Sequence, residues 1–157
     1  MKVIRASLLM GLTALAVMTA GPGRAGDDPA VKQDVAGLQG AWAMVSGSAD
    51  GQAMPAELLS QMKRVCHGDE VTVTMGGQVY FKAKVAIDPS KKPKTIDFQM
   101  TDGFTKGKQQ LGIYELEGDT FKSCFGKPGA ERPTDFTSKR GDGRTLSVWQ
   151  REKKERP

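Results

Sequence analysis

From residue 71 onward, apolar side chains recur at every second position in short bursts, and each burst ends in a turn signal. Val71, Val73 and Met75 alternate with Thr72 and Thr74 before Gly76-Gly77. Phe81, Ala83, Val85 and Ile87 alternate with Tyr80, Lys82, Lys84 and Ala86 before Asp88-Pro89. Ile96, Phe98 and Met100 alternate with Asp97, Gln99 and Thr101 before Asp102-Gly103. A period of two puts successive side chains on opposite faces of an extended chain, so each burst is a strand with one apolar face. The pattern continues less regularly at 111–116, 121–125, 134–138 and 145–151, and a first strand precedes it at 38–46. Eight short strands with turns at this spacing predict a mainly β domain: an eight-stranded antiparallel up-and-down sheet closed into a barrel. An open sandwich of the same strands satisfies the pattern too. Eight closed strands leave an interior that side chains fill or that holds one small ligand.

One segment departs from period two. At 55–65, Leu58, Leu59, Met62 and Val65 fall on one helical face. Pro55 suits the first helical position, Glu57 the first turn, and Lys63 and Arg64 the last. One short helix is therefore expected between the first two strands. Trp42, one of two tryptophans, lies in the first strand and is expected to plug one end of the barrel.

The N-terminus reads as an address. Lys2 and Arg5 precede an uncharged apolar run over 6–20, the length of a signal-peptide core and short for a membrane span. Gly23-Arg24-Ala25 offers small residues for cleavage after Ala25, with Ala20 the second choice and an uncleaved anchor the alternative. Residues 1–25 are thus expected to be a signal peptide, 26–37 a flexible lead-in with a short helical turn near its end, 38–151 the barrel domain and 152–157 a charged tail. The chain carries 23 basic and 18 acidic side chains, and the leader takes Lys2, Arg5 and Arg24 but no acid, which lowers the net charge from +5 to +2. So small a balance gives no reason to expect nucleic acid. No other segment is apolar enough for stable membrane insertion, so a secreted or periplasmic location is expected.

No catalytic constellation stands out. No serine or cysteine has the context of a known nucleophile, and His67 is the only histidine. Cys66-His67 lacks metal-ligand spacing, and adding Cys124 with Asp69 or Glu70 still gives no recognisable zinc set, so no metal or other cofactor is expected. The carboxylate pairs Asp97/Asp102 and Glu115/Glu117 sit on polar strand faces and turns. The Lys91-Lys92-Pro93-Lys94 run reads as a solvated turn. Cys66 and Cys124 either form a disulfide, whose closed loop would stabilise the fold by about 4 kcal/mol, or remain separate thiols. Phe81, Val85, Phe98, Met100, Ile113 and Phe121 are expected to face the interior.

Gly40-Ala41-Trp42 resembles the Gly-x-Trp signature in the first strand of lipocalins. In that superfamily an arginine near the end of the last strand lies over the tryptophan and helps close the barrel, and the resemblance places Arg151 in that role beside Gly40 and Trp42. Strand alternation sets Arg151 on the face of Trp149, opposite Leu146 and Val148, so it is expected to reach Trp42 only if the strand ends, twists or bulges there. A wider ordered set spans most of the chain: Leu38-Gln39-Gly40-x-Trp42, Asp50-Gly51, Pro55-Ala56-Glu57, Asp88-Pro89-x-Lys91-Lys92-Pro93-Lys94, Ile96-Asp97, Asp102-Gly103, Lys106-Gly107-Lys108, Gly112-Ile113-Tyr114, Gly118-Asp119-Thr120, Cys124, Pro128-Gly129, Arg132-Pro133 and Phe136. It resembles the small, mostly secreted lipocalin-like domains of planctomycete bacteria, a family catalogued without an assigned function. The resemblance implies fold and compartment and supplies no catalytic residue. Two functions fit: a module that takes a small apolar or amphipathic ligand into the barrel, or a filled barrel that contacts another protein of the cell envelope.

Overall fold

A computed structural model describes residues 27–153; the expected signal peptide and the end of the charged tail lie outside them. In chain order the elements are α1 (Pro29–Leu38), β1 (Gly40–Ala49), β2 (Gln52–Ala53), α2 (Ala56–Gln61), β3 (Met62–His67), β4 (Glu70–Met75), β5 (Gln78–Asp88), β6 (Lys94–Gly103), β7 (Gln109–Glu117), β8 (Thr120–Phe125) and β9 (Thr145–Arg151). From β3 to β9 each strand pairs antiparallel with the next, and β1 pairs with both β3 and β9, so eight strands close into a barrel. The two-residue β2 pairs only with the end of β1. The expected barrel is therefore what the chain forms, and the open sandwich is not.

The eight strands are not all the expected ones. Residues 134–138 form no strand; they belong to a long connection, 126–144. The eighth place is taken by β3, in the second half of the expected 55–65 helix. Met62, Arg64 and Cys66 are buried while Lys63, Val65 and His67 are exposed, the alternation of a strand hydrogen-bonded on both sides. Val65, half exposed, fits the helical stripe of that segment only by coincidence of spacing. The helix proper, α2, stops at Gln61, and its Leu59 packs on the core. The lead-in differs too: 29–38 is a full helix, begun by Asp28, whose carboxylate accepts from the Ala30 amide, and by Pro29.

The interior is apolar and the outer wall carries Thr72, Thr74, Lys82, Lys84 and Glu115, the reverse of a barrel that faces lipid. Strands β7 and β9 face the opposite way to the simplest reading. Gly112 and Tyr114 point inward, and Leu111 and Ile113 outward. A Cβ on Gly112 would come within 2.5 Å of Phe125, which stacks on Phe98 at 4.3 Å between centroids. Glycine there lets the Phe125 ring into the core and fixes the register. In β9, Ser147 and Trp149 are buried inside, and Leu146 and Val148 lie on the outer face.

That register carries Arg151, the last residue of β9, to the closed end. Trp42 and Arg151 are directly paired across β1 and β9; the one irregularity between these strands lies at Met44–Ser46. The Arg151 guanidinium lies 4.2 Å over the Trp42 ring and donates to the carbonyls of Gln39 and Gly37 and, through Nε, to Asp119. Trp42 is fully buried and donates from its indole to the Leu38 carbonyl. Gly40 has φ +98, and Arg151 Nη1 stands 3.5 Å from where a Cβ would be, so this position favours glycine on backbone grounds. Asp34 holds α1 over the same end, accepting from the Tyr114 hydroxyl at 2.6 Å and pairing with Lys94 at 2.8 Å. Burial and the Asp34 carboxylate push the Tyr114 phenol far above its usual range, so it stays a donor. Arg151→Lys, which keeps the charge but loses the planar fork, is expected to lower stability by about 1–3 kcal/mol in urea denaturation, with strand content unchanged by circular dichroism.

Candidate functional site

The end of the barrel opposite Trp42 is not filled. Below it the core is solid: Trp42, Phe121, Tyr114, Ile96 and Val71 are essentially inaccessible, with Phe121 edge-on to Trp42 at 6.1 Å. Above them lies a cavity of about 370 Å³, at the lower end of the range for small-molecule sites. Its mouth is bordered by α2, through Leu58, and by the exposed rings of Tyr80 and Phe104. Its wall is made of Met44, Met54, Met62, Met75 and Met100 with Phe81, Phe98, Phe125 and Trp149. Every methionine among the described residues lines this one cavity. Unbranched, polarisable thioethers adapt to ligands of varied shape. A polar strip crosses the apolar wall: Ser123 and Ser147 share a hydrogen bond of 3.0 Å, and the Trp149 indole donates to Ser147 at 2.9 Å.

Arg64 also lines the cavity. It is 2% exposed, and no protein group accepts from its Nε or Nη2. Its guanidinium lies 4.2 Å over the Phe121 ring. Among the described residues no carboxylate pairs with it, and the ionisable group beside it, the Cys66 thiol, keeps its proton at neutral pH. Burial pushes that thiol up by more than Arg64 pulls it down. Desolvation pulls Arg64 itself down to about 10, so it remains a cation at neutral pH. A lone buried charge is among the costliest things a core can contain.

The sequence-derived candidates divide among several places. Phe81, Phe98 and Met100 line the cavity. Phe121 lies in the packed layer beneath it, between Arg64 and Trp42. Val85 packs against the core below the cavity and also borders a separate cleft beside Val31 and Val35 of α1. Ile113 is buried but outside the barrel, paired with Cys124 on the outer face. Gly40, Trp42 and Arg151 meet at the closed end. Cys66 and Cys124 are both free. Cys66 points into the barrel, whereas Cys124 lies under the 126–144 connection, with its thiol 3.5 Å from the Thr137 carbonyl, so the barrel wall separates them and the disulfide reading is corrected. His67 is exposed at the end of β3, and no group of three potential metal ligands occurs among the described residues. Asp97 is paired with Arg132 and Glu115 with Lys122, all outside the cavity. Lys91-Lys92-Pro93-Lys94 forms the β5–β6 turn, with a cis Lys92–Pro93 bond.

Sequence reading missed Arg64, the other methionines, Trp149 and the serine pair. Assigning 62–65 to a helix put Arg64 on an exposed last turn. The signal that finds it is the alternation Met62-x-Arg64-x-Cys66, which runs in phase with β4. No family model, curated protein or solved structure matches the chain.

Arg64→Met replaces an unpaired buried charge by a side chain that fits the methionine wall. Without ligand, this variant is expected to be more stable than the parent by about 1–3 kcal/mol in urea denaturation at neutral pH. The parent's penalty exists while Arg64 is charged in both folded and unfolded states. The difference should therefore shrink as pH rises from about 10 toward the ordinary arginine range.

Proposed function

We propose that this protein is an exported lipocalin-like binding module, of the kind found in planctomycete bacteria, that takes one small apolar or amphipathic molecule into the open end of its barrel. The observation that carries this reading is the methionine-walled cavity above a solid, capped floor. Its size suits one small molecule, and its lining is apolar with a few convergent polar groups, the usual make-up of a ligand site. The charged and apolar pattern of residues 1–25 supports export, as does the ordered set of motifs shared with the secreted domains. The void at the open end speaks against a filled barrel that acts only through its outer surface.

Native mass spectrometry of protein isolated from its own cell envelope is expected to show an adduct of a few hundred daltons, on the order of what a cavity of this size encloses. After removal of that adduct, an anilinonaphthalene dye should bind and alter Trp149 emission. Met100→Trp, which puts a larger ring into the cavity, should weaken dye binding, read from the dye's own emission, about tenfold or more while leaving strand content unchanged. Bare protein together with no dye uptake would overturn the reading.

A further inference from the structure

We infer that Arg64 reads the headgroup of the ligand, and that the ligand is a single-chain amphiphile with a carboxylate at one end. This deepens the proposed binding function and rests on it. The two nitrogens without partners, Nε and Nη2, lie on the same edge of the guanidinium, so their N–H bonds run parallel. That edge is the fork that accepts the two oxygens of a carboxylate. The face of the guanidinium is set on Phe121, and the Nε/Nη2 edge is covered in the ligand-free protein, so a carboxylate reaches it by displacing the side chains between that edge and the cavity. Val73 and Trp42 flank Arg64 across the neighbouring strands, so nothing charged competes for the edge from either side.

Position supplies the rest of the chemistry. Along β3, Arg64 stands one inward step below Met62 and one above Cys66, at the junction of packed core and cavity. A headgroup at Arg64 therefore lies at the bottom, and an alkyl chain runs outward along Met62, Met44, Met100 and Phe98 toward the mouth. A cation is excluded from the cavity floor by the charge of Arg64. A neutral alcohol leaves the fork only half used. An anion converts the guanidinium from a lone buried charge into a hydrogen-bonded pair, and its binding is strengthened by relief of that penalty.

The test compares decanoate, 1-decanol and decyltrimethylammonium on the ligand-stripped protein at neutral pH. Dissociation constants come from Trp149 emission, with calorimetry as the second readout. Decanoate is expected to bind about tenfold or more tightly than decanol, and the ammonium weakest of the three. In Arg64→Met the decanoate preference should fall to about parity, through loss of decanoate affinity with decanol unchanged or improved; thermal melting checks that the variant is folded. Arg64→Lys should fall between, since it keeps the charge and loses the fork. Equal binding of decanoate and decanol by the parent protein overturns the headgroup assignment and leaves the cavity reading standing. So does a decanoate preference that survives Arg64→Met. Failure of all three probes to bind overturns both.

Discussion

The closed sheet depends on the meeting of β1 with β9, and that seam is sealed at its lower end by a guanidinium lying over an indole. Trp42 supplies the large apolar body that plugs one end of the barrel. Arg151 covers it and uses its remaining donors on the carbonyls of Gln39 and Gly37, where α1 gives way to β1. One side chain thus joins the last strand, the first strand and the helix that caps them. Without a sealed lower end, an eight-stranded barrel of short strands has no solid floor, and the upper end could not remain open as a defined cavity. Both halves of the interior follow from the same constraint: close-packed rings and aliphatic side chains below, a void walled by methionines and further rings above.

Arg64 runs against the general logic of such a core. Everything around it is packed to exclude water, yet the charge has no acid to neutralise it. Native interiors keep such groups where function needs them, because placing one there destabilises the fold. The stacked Phe121 ring offsets part of that cost and does so without occupying the hydrogen-bonding edge. The donors therefore remain buried without an acceptor, and a ligand group that supplies one removes that cost.

Much of this architecture was legible in the residues. Alternation at 71–75, 81–87 and 96–100 named the strands and their inward faces, and Phe81, Phe98 and Met100 were correctly placed inside because no competing period overlaps them. Period alone failed where two readings shared the same residues. Leu58, Leu59, Met62 and Val65 fit a helix, and only pairing with β1 and β4 decides that the chain turns extended at Met62. Arg64 was lost with that error. Ile113 failed for a different reason: β7 is apolar on both faces, one toward the core and one beneath the 126–144 connection, which pins its own position through Arg132 to Asp97 and the Gly112 carbonyl. A strand covered on both sides carries no alternation to read. The bulge in β1 between Met44 and Ser46 likewise leaves no mark in composition.

The pairing of the earliest barrel strand with the final one has a practical corollary. Trp42 and Arg151 are opposite one another in the wall, so the start of the first barrel strand and the end of the last lie side by side at the plugged base, away from the mouth. A tether or label joined just after β9 would hold the domain by its base and leave the opening clear. The same adjacency makes the fold suited to circular permutation, with the old termini linked and the chain reopened at the exposed Gly76-Gly77 hairpin tip.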